Sequence, residues 1–201
     1  MKTVHVDGLR LAYRELGDGP AVLLLHGWPT SSFLWREVMK PIARANRVIA
    51  IDLPGFGASD KPVGARYTFE FFERALDGFL AQLGVDRVGL ADPSRLSPAV
   101  LAAVQEPFGT PEARRALADA GIGVSRRGFV QIARQLPTLR IPVRVVYGAR
   151  DRVLPDVAET MTRVQRDLPH ADVTVLPDCG HFLQEEAPAE VGALLARFFA
   201  S

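Results

Sequence analysis

Two short runs of apolar residues constrain the fold of this chain more than any other feature. Residues 21–25 read Ala-Val-Leu-Leu-Leu, and residues 47–51 read Arg-Val-Ile-Ala-Ile. A strand with water on one face alternates apolar and polar side chains, whereas a strand covered on both faces is apolar throughout. Both runs are therefore predicted to be central parallel strands with helices on each side.

The other segments supply an alternation of strands and helices around these two. An Asp7-Gly8 turn between two alternating segments predicts an N-terminal hairpin. Apolar spacings of three and four predict a helix after Ser31-Ser32, one from Thr68 to Gly84 and one near the C-terminus. Further strands are expected at residues 87–91, 143–147 and 173–176. The predicted fold class is α/β, a doubly wound and mostly parallel sheet.

The segment between residues 92 and 142 has no strand pattern. Helix starts are indicated there by Ser97-Pro98, Thr110-Pro111 and Ser125, which predicts a helical insert. Such an insert is long enough for a right-handed crossover between parallel strands. We therefore expect the strand at 143–147 to pair directly with the strand at 87–91.

Composition excludes several classes of partner and site. Lys and Arg number 24 against 23 Asp and Glu, a formal net charge of +1, which argues against nucleic acid and anionic membranes as partners. The single cysteine excludes an internal disulfide and suits a reducing compartment, and the start of the chain has no apolar leader. We expect a cytoplasmic protein. No phosphate-binding loop or metal-ligand spacing occurs, so no cofactor or metal is expected.

Four loops that follow predicted strands carry the residues of chemical interest. In doubly wound sheets, ligands bind outside the carboxyl ends of the strands. The loops are His26-Gly27-Trp28-Pro29, residues 52–60, Gly148-Ala149-Arg150-Asp151 and Asp178-Cys179-Gly180-His181-Phe182.

Taken in this order, the loops resemble the α/β-hydrolase family, in particular its dehalogenase and epoxide-hydrolase branch. The resemblance implies that His181 is the catalytic base and Asp151 its acidic partner. It also implies that the Gly27-Trp28 loop contacts substrate and that the N–H of Trp28 stabilises an oxyanion. It divides the chain into a hydrolase core, residues 1–91 and 141–201, and a residual helical cap or crossover, residues 92–140.

The nucleophile that the family places after its fifth strand is missing from this pattern. No Gly-x-Ser-x-Gly motif, nor its Asp or Cys version, occurs in the 201 residues. Ala91 is followed directly by Asp92-Pro93-Ser94, which we interpret as an internal deletion of the turn with one strand and one helix. Ser94 is the preferred candidate over Asp92, because Pro93 has no N–H to complete an oxyanion hole. The alternative is an ordinary turn in which either side chain caps a helix.

Plain structural roles remain open for the other polar residues. His181 and Asp151 can be loop residues held by backbone groups, and Cys179 is interpreted as a small core residue. Asp52 and Asp60 are expected to hold the glycine-rich loop by hydrogen bonds.

The sequence therefore supports two hypotheses of different class. The first is a cofactor-independent hydrolase of a small ester or carbon-halogen compound. The resemblance implies that epoxide opening would use tyrosines of the cap as acids. All three tyrosines lie outside the insert, so epoxide opening is disfavoured. The second is an inactive derivative of the fold that binds a ligand or a protein. Loss of a central strand would expose a sheet edge, which favours a homodimer.

Overall fold

The computed structural model describes residues 1–91, 105–123 and 126–200. The strands are β1 Lys2–Val6, β2 Leu9–Leu16, β3 Ala21–Leu24, β4 Arg47–Ile51, β5 Gly89–Ala91, β6 Arg144–Gly148 and β7 Asp172–Leu176. The helices are α1 Met39–Ile42, α2 Phe69–Gln82, α3 Pro111–Gly123, α4 Arg126–Gln135, α5 Val157–Asp167, α6 Leu183–Glu186 and α7 Pro188–Phe199. Short 3₁₀ helices span Ser32–Trp35, Glu106–Phe108 and Leu136–Thr138.

Five strands form a mixed sheet in the order β1-β2-β4-β3-β5. The hairpin of β1 and β2 turns at Asp7 and Gly8, whose φ angles are 49° and 80°, as a two-residue turn of this type requires. Strand β2 pairs with β4 in antiparallel register, whereas β3 pairs in parallel with both β4 and β5. The two apolar runs are therefore adjacent parallel strands, as predicted.

Each face of this sheet is covered by a separate apolar cluster. Alternate residues of β3 and β4 point to opposite faces, so Leu23 and Ile49 pack against Phe79 of α2. Val22, Leu24 and their neighbours on β4 pack instead against α1 and α7. Burial on both sides explains why neither run contains a polar residue within the strand core.

Strands β6 and β7 form a second, two-stranded parallel sheet. The predicted pairing of residues 143–147 with 87–91 is therefore wrong. The reason is that packing, not strand pairing, positions this second sheet. Leu176 and Val146 belong to the same apolar cluster as Val22 and Leu194, so α7 holds β6 and β7 beside the larger sheet. The predicted homodimer stays a prediction.

The helix predicted after Ser31-Ser32 is divided into two short pieces. Ser31 caps the 3₁₀ turn, its Oγ accepting from the N–H of Phe33, and α1 begins only at Met39. Pro41 has no N–H to donate and its ring conflicts with the carbonyl four residues earlier, which explains the break. The predicted apolar positions are nevertheless buried: Trp35, Val38, Met39 and Ile42.

Helix α2 begins and ends as the sequence predicts. The Oγ1 of Thr68 accepts from the N–H of Phe71, and Gly84 follows the helix with a φ of 64°.

Part of the helical insert packs over the loop that follows β4. Ala113, Ala116 and Ala120 of α3 form a cluster with Phe56 and Tyr67. The predicted helix start at Thr110 is confirmed, since its Oγ1 accepts from the N–H of Ala113. Ser97-Pro98 and Ser125 lie outside the described residues. Within the described ranges, no helix has the length and apolar character needed to cross a bilayer.

Replacement of Leu24 by Ala is expected to lower the free energy of unfolding by about 2 to 5 kcal/mol, because this side chain is fully buried between the sheet and α7. The matched control Val175→Ala, whose valine is 47% exposed in β7, should change it by less than about 0.5 kcal/mol. Urea unfolding followed by circular dichroism measures both, and equal effects would contradict the assignment of the core.

Candidate active site

Asp151 and His181 are brought together by the loops after β6 and β7. The loops are joined by backbone hydrogen bonds, from the N–H of Ala149 to the carbonyl of Leu176 and from Arg150 to Cys179, 3.0 and 2.9 Å long. At Gly148 a Cβ atom would lie 2.1 Å from the carbonyl oxygen of Gly180. The two loops therefore approach closely only because residue 148 has no side chain.

The two side chains form a direct hydrogen bond. Nδ1 of His181 lies 2.7 Å from Oδ2 of Asp151, and the other carboxylate oxygen accepts from the N–H groups of Val153 and Leu154, each at 2.8 Å. The aspartate side chain is 5% exposed and the histidine side chain 20%. The carboxylate is thus held by three donors, while the imidazole keeps access to solvent.

The protonation of this pair follows from its contacts. Burial by itself raises the pKa of Asp151, but the N–H of Leu154, the ring of His181 and the N–H of Val153 together hold it below its ordinary value. An ionised carboxylate only accepts, so Nδ1 of His181 carries a proton and Nε2 is the basic nitrogen. No described residue hydrogen-bonds to Nε2. The arrangement can therefore accept a proton from a bound reactant.

His26 has a structural role instead. Its Nε2 accepts from the N–H of Leu53 at 3.0 Å, so Nδ1 is protonated and donates to the carbonyl of Gly27, also at 3.0 Å. Both ring nitrogens are occupied, and the ring is buried. Burial lowers the pKa of His26, more than the Gly27 carbonyl and Asp52 raise it. The neutral ring joins the loops after β3 and β4.

Gly27 and Trp28 lie at the carboxyl end of β3, as predicted from the sequence. The carbonyl of Gly27 accepts from both the N–H and the Oγ1 of Thr30, and the Trp28–Pro29 peptide bond is cis. The indole Nε1 of Trp28 donates to the carbonyl of Leu117 in α3 at 3.1 Å. The backbone N–H of Trp28 donates no hydrogen bond to any described residue.

The predicted roles of Asp52 and Asp60 agree with their contacts. Asp52 is buried and accepts from the N–H groups of Ser32 and Ala58, at 2.7 and 2.8 Å. Asp60 accepts from the N–H of Arg10 at 2.8 Å. Both carboxylates hold the glycine-rich loop. Among the described residues, no group of three or more His, Cys, Asp or Glu side chains is arranged to hold a metal ion.

Cys179 packs in the main apolar cluster and is 7% exposed. Burial raises the pKa of its thiol, and the nearby carboxylates of Glu186 and Glu190 raise it further. A buried thiol that resists ionisation is a poor nucleophile, in agreement with its interpretation as a core residue.

The candidate nucleophiles Ser94 and Asp92 lie outside the described residues. The structure therefore brings together two of the five predicted site residues, His181 and Asp151, as a pair. Gly27 and Trp28 form a second group.

A cavity of about 800 Å³ lies beside this second group. It is bounded by His26, Gly27 and Trp28, by residues of β3 and β5, and by one face of α2. His181 and Asp151 are not among the described residues that line it. A volume of this size is typical of sites for small molecules.

Sequence reasoning missed two features of the site. Gly148 was identified only as part of a loop, although a glycine directly after a strand is a signal for close backbone approach. Phe69, Phe72, Leu76 and Leu80 of α2 line the cavity, although helical spacing by itself predicts only an apolar face. Leu76 and Leu80 also pack against the cluster that contains Phe79.

Comparison with known proteins identifies the class. A model described as alpha/beta hydrolase fold matches residues 20–90, and a model described as alpha/beta hydrolase family matches residues 75–194, more than half of the chain. The chain belongs to the alpha/beta hydrolase family, and the prediction made from its four loops is confirmed.

Its curated relatives include haloalkane dehalogenases, which confirms the predicted dehalogenase-like branch. The chain is 46% identical over 87 residues to the haloalkane dehalogenase of Bradyrhizobium diazoefficiens, and 44% identical over 93 residues to that of Sphingobium indicum. The matches cover 42% and 44% of this chain but 28% and 31% of the relatives. The aligned part is thus less than a third of either relative.

Solved structures of the same fold cover nearly the whole chain. A haloalkane dehalogenase from Bradyrhizobium elkani aligns with a TM-score of 0.85 at 24% identity, covering 99% of this chain and 97% of its own. An alpha/beta hydrolase fold protein from Burkholderia ambifaria aligns with a TM-score of 0.86 at 21% identity, covering 96% of each. At such identities the likeness shows the fold alone.

Gly148→Ala is expected to destabilise the protein by about 1 to 3 kcal/mol, because the new methyl group meets the backbone of the His181 loop. In the control Gly109→Ala the nearest atom is 3.5 Å away, an ordinary contact. Urea unfolding should give a change below about 0.5 kcal/mol for the control. A well-tolerated alanine at 148 would contradict the close approach of the loops.

Burial of neutral His26 predicts a pH dependence of stability. Its pKa in the folded protein lies below the ordinary value of 6.5, so below that pH the unfolded chain binds more protons than the folded chain. The contribution of neutral His26 to the free energy of unfolding is therefore fully present above pH 6.5. Below that pH it declines by at most about 1.4 kcal/mol per pH unit for one proton. Urea midpoints between pH 8 and 5 measure this slope. His26→Asn should be less stable at pH 8 and lack the decline, and an unchanged slope would refute the assignment.

Proposed function

We propose that the chain is a cofactor-independent hydrolase of a small ester or carbon-halogen compound, with His181 as general base. The observation that carries the proposal is the 2.7 Å hydrogen bond between His181 and a carboxylate held by two further N–H groups. An oriented imidazole with a free basic nitrogen is what activation of a hydroxyl or water needs. The relatives called haloalkane dehalogenase support the carbon-halogen class.

The proposed reaction moves one proton through the imidazole. As the attacking oxygen bonds to substrate carbon, its proton passes to Nε2 of His181, and Asp151 stabilises the resulting imidazolium. Attack on a carbon-halogen bond by water releases halide and leaves an alcohol. Attack by Ser94 on an ester leaves an acyl group on Ser94, and the imidazolium of His181 returns its proton to the expelled alkoxide, which leaves as alcohol. Water, deprotonated by Nε2 of His181, then attacks the acyl group and releases the acid, and the proton returns to the oxygen of Ser94. The N–H of Trp28 is proposed to stabilise the oxyanion of the ester reaction.

The helical insert is proposed to act as a cap. Residues 92–140 would then cover a core made of residues 1–91 and 141–201. The contacts of α3 with Phe56 and Tyr67 and the hydrogen bond from Trp28 to Leu117 support this division.

Activity is tested by halide release from 1-bromobutane and by hydrolysis of p-nitrophenyl acetate. His181→Ala should lower kcat/KM by about 100-fold or more, since removal of a general base commonly costs that factor. Asp151→Asn should lower it as well, because an amide no longer stabilises the imidazolium. The control His5→Ala removes an exposed histidine of β1 and should leave kcat/KM unchanged. Turnover no faster in the native protein than in His181→Ala would end the hydrolase proposal.

Ser94 is tested separately with a fluorophosphonate. Intact mass and peptide mapping should show one adduct on Ser94, which Ser94→Ala abolishes. Turnover without an adduct would assign attack to water or to Asp92.

A second candidate function is ligand binding without turnover. It is favoured by the cavity of about 800 Å³, which is lined by Gly27 and Trp28 but by neither member of the His181–Asp151 pair among the described residues. A ligand that binds only the folded protein stabilises it by about 2.7 kcal/mol at 100 times Kd. The expected result is a rise in Tm with small apolar compounds such as octanol, retained in His181→Ala. No rise across an apolar library would contradict it.

A further inference from the structure

One stripe of helix α2 faces the cavity. Residues at spacings of three and four along the helix line it: Phe69, Phe72, Glu73, Leu76, Asp77 and Leu80. The opposite wall includes Leu23, Leu25, Val88 and Leu90 from β3, β5 and the residues beside them. The interior is therefore apolar, and a ligand's uncharged body would be buried in it.

The charge of the cavity wall has one sign. Of the described residues that line it, Glu73 and Asp77 are the acidic ones, and both are exposed. Neither forms an ion pair with any other described residue. Like charges four residues apart on a helix repel each other, so helix stability does not explain this pair. No Lys or Arg is among the described residues that line the cavity, so these two acidic side chains set the sign of charge at its wall.

Aromatic rings make up much of the remaining wall. The cavity is lined by Trp28, Phe56, Phe69, Phe72 and Phe129. Phe69 and Phe129 meet edge to face, with ring centres 5.5 Å apart. The faces of aromatic rings attract cations, and quaternary ammonium groups are bound in proteins by such rings. Carboxylates and aromatic faces thus both favour a positively charged ligand.

We propose that this cavity binds hydrophobic organic cations, molecules with an alkyl or aryl body and a tertiary or quaternary ammonium group. The body lies between α2 and the sheet, and the ammonium group lies at Glu73 and Asp77 near the aromatic rings. The inference rests on the ligand-binding function proposed above and names its ligand class. It does not involve His181 or Asp151.

The test compares three probes of equal chain length: octyltrimethylammonium, octanol and octanesulfonate, each below its micelle concentration. Calorimetric titration at low salt should give the cation an affinity about tenfold higher than octanol, with the sulfonate weakest. The preference should shrink as salt is added, because the carboxylates are exposed. Emission of Trp28, which lines the cavity, should change on binding, and Trp28→Phe should remove that change.

A double variant assigns the charge selectivity to the two carboxylates. Glu73→Gln with Asp77→Asn should bring the affinity for the cation to that for octanol, while octanol binding stays the same. The control Glu112→Gln with Glu159→Gln makes the same change in net charge at exposed positions outside the cavity wall and should preserve the preference.

The outcomes separate the inference from the function on which it rests. Binding of all three probes with equal affinity to the native protein would overturn the cation inference and leave ligand binding intact. Failure of all three to bind would end both. A preference that survives the Glu73 and Asp77 double variant would also overturn the inference. The probe series uses the native chain, so a misfolded variant would not prevent a decision.

Discussion

Leu176 and Val146 of the smaller sheet pack into the same apolar layer as Val22 and Leu24 of the larger one. The arrangement of the two sheets depends on this layer, because no strand pairing among the described residues joins them. Helix α7 contributes Val191 and Leu194 to this layer and so helps to position β6 and β7. Through that position it also determines where the loops carrying Asp151 and His181 lie. Packing can replace sheet hydrogen bonds here because a two-sided core leaves little freedom for lateral movement.

The chemistry of the molecule is divided between two places. The pair of His181 and Asp151 is polar, nearly buried and supported by backbone donors, which suits proton transfer. The cavity beside Trp28 is apolar and aromatic with carboxylates at α2, which suits binding of a hydrophobic molecule. Trp28 connects the second place to the insert through Leu117.

Prediction from the sequence succeeded where the controlling interactions are local. The hairpin turn at Asp7-Gly8, the cap at Thr68 and the end of α2 at Gly84 depend on side chains within a few residues. The pairing of His181 with Asp151, which are distant in the sequence, was instead implied by the resemblance of four loops to the alpha/beta hydrolase family. Prediction failed where the interacting residues are far apart in the sequence. Packing decided that β6 pairs with β7 and not with β5, and no pattern within residues 143–147 reports it.

The stripe on α2 shows the same distinction in one helix. Its spacing predicts an apolar face, but spacing does not say whether that face meets the sheet or borders a cavity. Phe79 is fully buried in the cluster against the sheet, whereas Leu76 and Leu80 pack against the same cluster and also border the cavity.

By itself, then, the sequence determined the strand and helix types and the two covered central strands. These are consequences of hydrophobic period, turn chemistry and residue type, all of which act over short distances along the chain. The tertiary structure alone decided the division into two sheets, the approach of the loops at Gly148 and the cavity against α2. Each of these depends on which surfaces pack together in the folded chain. Many alternative packings bury a similar apolar area, and only the complete core makes one of them the most stable.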